Sequence, residues 1–105
     1  MLYVTVPNMD EARRIGRALL ENREAACVNM LPGMHSMYWW ENNIEEAQEV
    51  VLVVKACRHT VEAARRRIVS LHPYEVPCVV GWNMEYGHQG FLDWLEEQCA
   101  WEHQR

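Results

Sequence analysis

Residues Ala25 to Trp40 form an extended run of 16 residues, interrupted only at Pro32-Gly33. Glu41-Asn42-Asn43 reads as a turn, and Ile44 to Ala56 returns as a second extended run that holds Val50-Val51-Leu52-Val53-Val54 unbroken. At ~3.3 Å per residue the first arm spans ~53 Å. A compact domain of this length has a radius of gyration of ~13 Å, hence a diameter of ~33 Å. Even bent at Pro32-Gly33, where a bulge is expected, the hairpin overhangs its own domain. Its tip carries Tyr38, Trp39 and Trp40, an aggregation hazard unless another chain receives it.

The remaining elements fall around this hairpin. Leu2 to Val6 reads as a strand ending at Pro7-Asn8. Asn8 or Asp10 can cap a helix whose stripe is Ala12, Ile15, Ala18 and Leu19 and which ends near Asn22-Arg23. Asp10–Arg14, Arg17–Glu21 and Glu62–Arg66 stand at i,i+4 spacing, so the charges, including Arg65-Arg66-Arg67, read as solvated helix faces. Thr60 is placed to cap a second helix with Val61, Ala64, Ile68 and Leu71 on one stripe, and Pro73 stops it. Val76 to Trp82 reads as a strand, with Pro77 marking an edge position. Phe91 to Cys99 reads as a terminal helix. The order β-α-β-β-α-β plus a helix predicts an α+β, ferredoxin-like antiparallel sheet with helices on one face, as one domain over 1–105. A strand with one wet face alternates apolar and polar residues. Val50 to Val54 and Val76 to Val80 do not alternate, so the open face also calls for a covering partner.

With 105 residues and half of them apolar, the chain has a globular composition. A net charge of −5 argues against a general nucleic-acid binder. The strands lack the aromatic motifs of an RNA-recognition domain, and no apolar run is long enough to span a membrane. Met1-Leu2-Tyr3-Val4 does not resemble a secretory signal, so the expected compartment is the cytoplasm. Cys27, Cys57, Cys78 and Cys99 are widely spaced, which suits reduced thiols.

His72-Pro73-Tyr74-Glu75-Val76-Pro77 is a distinctive segment. So are Ala26-Cys27-Val28-Asn29 and Tyr38-Trp39-Trp40-Glu41 followed by Ile44. With Val4-Thr5-Val6-Pro7 and Phe91-Leu92-Asp93-Trp94, these resemble the CutA family of divalent-cation-tolerance proteins, over about Val4 to Leu95. The resemblance implies a ferredoxin-like fold, a homotrimer, an architecture like that of PII signalling proteins, and a link to copper and other divalent cations. The chain departs from the family pattern at Glu24, Asn42, Leu71, Asn83 and His88. It also has Cys78 where the family carries an acidic residue, so no carboxylate is expected there.

The resemblance points to Cys27 and His72 as metal ligands, and a thiolate with an imidazole suits copper or zinc. His72 reads equally as a C-terminal helix cap, and Cys27 as a small buried hydrophobe. Met30, Met34, His35 and Met37 are a denser soft-donor group, with Met34 and His35 as second-choice ligands, or else packing residues. Cys99 and His103, at i,i+4, could clip a metal. Lys55, the only lysine, either pairs with Glu75 or binds an anion in an intersubunit cleft. Tyr74 and Glu75 could act there as acid and base, but no nucleophile–base–orienter set is visible. The leading expectation is a non-enzymatic, trimeric cytosolic protein binding metal ions, copper favoured, or a small ligand between subunits. Its rivals are a protein-docking adaptor and an enzyme built on Lys55, His72, Tyr74 and Glu75.

Overall fold

The computed structural model describes residues 1–103, with side chains through Cys99. Strand β1 (Leu2–Val6) leads into α1 (Met9–Glu21). Asn8, in extended conformation, caps that helix by accepting a 2.9 Å hydrogen bond from the Glu11 backbone N–H. Asp10 and Glu11 occupy its first turn, where the helix dipole favours anions. The helix stops at Arg23, whose φ of 56° is left-handed. Strands β2 (Cys27–Trp40) and β3 (Asn43–Lys55) form the long hairpin, followed by α2 (Val61–Leu71), β4 (Val79–Gly81) and α3 (Gln89–His103).

The sheet order is β2-β3-β1-β4 with every neighbouring pair antiparallel, which is the expected ferredoxin-like α+β arrangement. Leu2, Val4 and Val6 of β1 and Val50, Leu52 and Val54 of β3 share one face by the two-residue period. They form the buried core with Ala12, Ile15 and Leu19 of α1 and Ala64 and Ile68 of α2. Gly16 of α1 packs over Val28 of β2, where a Cβ would meet Val28 Cγ1 at 3.4 Å, ordinary van der Waals contact.

The expected bulge is present. The β2–β3 register steps from Leu31↔Val51 to Met34↔Glu49, three residues against two, with Gly33 at φ 81°. One extra residue reverses the parity of the strand. Met30 and Met34 therefore lie on opposite faces. The hairpin closes through Glu41 and Asn42 at φ 48° and 67°, the positive values that a type I′ turn requires. The molecule measures 47 × 27 × 21 Å, so the hairpin does overhang. At its tip Met37 is 70% exposed, Trp39 72% and Ile44 61%.

Four expectations need correction. The surface ion pairs run at i,i+3, as Asp10–Arg13, Glu11–Arg14 and Glu62–Arg65. Positions three and four apart both lie on one helix face, so either spacing can pair, and these arginines take the carboxylate three residues back. Thr60 does not cap α2 with its side chain. Its hydroxyl donates instead to the Cys57 carbonyl at 3.3 Å. Strand β4 holds its edge position but is shorter than Val76 to Trp82. Pro77, without an N–H, keeps 76–78 out of the ladder. Lys55 does not pair with Glu75, and its ammonium stands 5.5 Å from the centre of the Phe91 ring. The expected Cys99–His103 clip lies outside the described side chains. Among the described residues, no helix is long and apolar enough to cross a membrane.

Candidate functional site

The sheet face opposite α1 and α2 carries Tyr3 and Thr5 of β1 and Glu49, Val51 and Val53 of β3. Beyond the bulge, Met34, Ser36 and Tyr38 of β2 join them. Between this face, the hairpin and the segment after α2 lies a cleft of about 980 Å³. Its lining includes Tyr3, Met34, Trp40, Glu49, Tyr74 and Glu75.

Glu49 is 7% exposed, and the Tyr74 hydroxyl donates to its Oε2 at 3.0 Å. Burial, and then the hydrogen bond to the Glu49 carboxylate, push the Tyr74 phenol up to about 12. Met34 stands opposite Glu49 in the ladder, and its Sδ accepts a 3.4 Å hydrogen bond from the Tyr3 hydroxyl. The cleft thus sets a carboxylate, a thioether and two phenols within a small area, a donor set that suits a cation or a small polar ligand.

His72 positions one wall of the cleft. It is the C-cap of α2 and is buried, with its backbone N–H on the Ile68 carbonyl at 2.9 Å. The Tyr74 backbone N–H donates to His72 Nδ1 at 3.1 Å, so Nδ1 is the acceptor. Nε2 then carries the proton and donates to the Thr5 carbonyl at 2.7 Å. Both ring nitrogens are engaged, and the ring lies 4.8 Å from that of Tyr74. A metal at either nitrogen would displace one of these bonds.

The expected ligands do not converge within one chain. His72 reaches Thr5, which pairs with Val51, whereas Cys27 pairs with Lys55. Four residues along β3 separate those positions, about 13 Å. The Cys27 thiol contacts Asn29 Oδ1 at 3.9 Å. Met34 and His35 both border the cleft, but neighbours on one strand face opposite sides, Met34 paired with Glu49 and His35 with Gln48. Tyr74 and Glu75 border the cleft together. Lys55, six residues beyond Glu49 on β3, is about 20 Å away. The set Lys55, His72, Tyr74 and Glu75 is therefore not assembled by a single chain. Sequence reasoning missed Glu49 and Tyr3. The one signal for Glu49 is its place as the acid directly before the apolar run from Val50.

Comparison with known proteins agrees with this architecture. The family described as CutA1 divalent ion tolerance protein matches residues 1–98. The divalent-cation tolerance protein CutA of Thermus thermophilus is 42% identical over 100 residues, 95% of this chain and 97% of that protein. The crystal structure of CutA from Xylella fastidiosa superposes with a TM-score of 0.91 at 36% identity, covering 93% of this chain and 94% of that one. A structure from Archaeoglobus fulgidus, described as a periplasmic divalent cation tolerance protein CutA, gives a TM-score of 0.89 at 39% identity, over 93% and 95% of the two chains. The chain belongs to the CutA1 divalent ion tolerance family.

Proposed function

We propose that this chain is a homotrimeric, non-enzymatic divalent-cation-tolerance protein of the cytoplasm. In this reading it takes a metal ion, copper favoured, or a small ligand into clefts that neighbouring subunits complete. The observation that carries it is the uncovered sheet face, where a cleft with the buried Glu49 and the thioether of Met34 opens beneath an exposed aromatic hairpin. A second copy seated there would bury the tip and close the cleft. Copper follows from the donors, because thioether, thiol and imidazole are soft or intermediate ligands. Met34 and His35 belong to the cleft, while Cys27 and His72 can share an ion only if different subunits supply them. Lys55, Tyr74 and Glu75 would contact a small ligand across the same subunit boundary.

The test is calorimetry with Cu(I) held reduced and then with Cu(II), against magnesium and calcium. Copper should bind more tightly than either hard ion. Met34→Leu with His35→Ala should weaken binding at the cleft, and Cys27→Ser with His72→Ala should weaken it if ligands are shared between subunits. Copper binding unchanged in both double variants would remove these four residues as ligands. An absence of copper binding in the wild type would favour the protein-docking adaptor.

A further inference from the structure

A second group of ligand atoms converges away from the cleft. The thiol of Cys57, a ring nitrogen of His59 and a carboxylate oxygen of Glu96 all lie within 4.8 Å of one another. Cys57 and His59 stand on the connection from β3 to α2, and Glu96 on α3. We propose that these three residues form a site for a borderline divalent cation, zinc foremost, that fastens α3 to the β3–α2 connection.

The geometry needs only small adjustments. A tetrahedral zinc with bonds of ~2.0–2.3 Å sets adjacent ligand atoms ~3.3–3.7 Å apart. His59 Nε2 and Glu96 Oε1 are already 3.3 Å apart. The remaining separations, at most 4.8 Å, must close by up to about 1.5 Å to reach that spacing. The His59 and Glu96 side chains are 49% and 54% exposed, which leaves room for a rotation of that size. Three protein ligands leave the fourth position to water, the pattern of an open site. The residues also border a cavity of about 660 Å³ that gives an ion access.

The surroundings of the sulfur fit a metal-bound thiolate. The Thr60 hydroxyl is 3.2 Å from Cys57 Sγ, and the buried Cys99 thiol is within hydrogen-bonding reach of Cys57. The Cys99 thiol can donate to a thiolate and orient it, as outer partners do in metal sites, while the Thr60 hydroxyl, which donates to the Cys57 carbonyl, packs beside the sulfur. Thiolate and carboxylate together supply two negative charges, which balance those of a dication. Sulfur and imidazole disfavour magnesium and calcium, which take oxygen ligands.

The site also lies beside the buried contact of α3 with the β3–α2 connection. Among the described residues, that helix fully buries only Leu95 and Cys99, in a small cluster with Cys57. An ion held by Glu96, one position after Leu95, would add a cross-link between α3 and the β3–α2 connection beside that cluster. The site shares no residue with the cleft and stands whether or not the cleft binds copper.

The test uses the full chain, reduced and stripped with chelator, with zinc uptake followed by equilibrium dialysis. His59→Gln and Glu96→Gln alter half-exposed side chains, so neither should disturb folding. The wild type should hold one zinc per chain that each variant weakens at least tenfold. Met34→Leu with His35→Ala should leave that zinc unaffected. Cobalt(II) in place of zinc should give a thiolate-to-cobalt charge-transfer band that is absent in Cys57→Ser. Should Cys57→Ser fail to fold, the other two variants carry the test. Wild-type zinc affinity in both His59→Gln and Glu96→Gln, or loss of the zinc only in the Met34/His35 variant, would overturn the proposal.

Discussion

At the scale of single residues, His72 commits both ring nitrogens to the backbone of its neighbours. His72→Ala would leave the Thr5 carbonyl and the Tyr74 amide without partners. The cost of unpaired buried polar groups puts the loss at about 2–4 kcal/mol, read from denaturant unfolding at fixed protomer concentration. A change below about 0.5 kcal/mol, the scale of an ordinary surface substitution, would contradict the hydrogen-bond assignment. Tyr74 gives a pH signature. Its folded pKa is raised from 10.0 to about 12, so the fold favours the neutral phenol. The linked stability is complete below pH 10.0 and is lost as pH rises toward about 12. Tyr74 is 37% exposed, and solvent screening holds the effect to about 1 kcal/mol. Alkaline unfolding should therefore steepen for the wild type in that window and flatten in Tyr74→Phe. His72 and Tyr74 were legible as a motif, because they sit close together in the chain. Glu49 was not, because only strand register and the return of the chain after α2 bring it to the Tyr74 hydroxyl. Cys57, His59 and Glu96 escaped for the same reason, since nothing local says that α3 docks on the β3–α2 connection.

At the scale of elements, the hairpin carries a tension between its turn and its residues. Glu41 and Asn42 both adopt positive φ, and a glutamate there carries a steric cost that Asn-Gly would not. Glu41→Asn with Asn42→Gly should stabilise the protein by roughly 0.5–1 kcal/mol, measured as a raised denaturant midpoint with an unchanged slope. A lowered midpoint would mean that the Glu41 side chain has a role beyond the turn. Strands and helices were legible here because their periods differ, and the bulge because Pro32-Gly33 marks it. The length of β4 was less so. Residues 76–78 are apolar enough for a strand, but Pro77 removes the donor that the ladder needs. The helix ion pairs missed their spacing because i,i+3 and i,i+4 neighbours share a face, and the charge pattern alone does not choose between them.

At the scale of the whole molecule, the sheet presents one face to α1 and α2 and leaves the other uncovered within the chain. Val51 and Val53 are half-buried on that open face, and Trp39 and Ile44 stand well exposed at the tip. Interfaces that are wide and apolar couple folding to assembly, so the melting temperature should rise with protomer concentration. A melting point constant across a hundredfold dilution would contradict that coupling. Trp39→Ala and Trp40→Ala should each weaken assembly, by ~3–5 kcal/mol where the indole is fully buried between copies. Dilution followed by gel filtration reads that loss directly. Other copies of the chain are expected to complete this open face and its cleft. Light scattering coupled to gel filtration at micromolar concentration tests this most directly. The expected particle has three times the 12.4 kDa of one chain, and a stable monomer of 12.4 kDa would rule the assembly out.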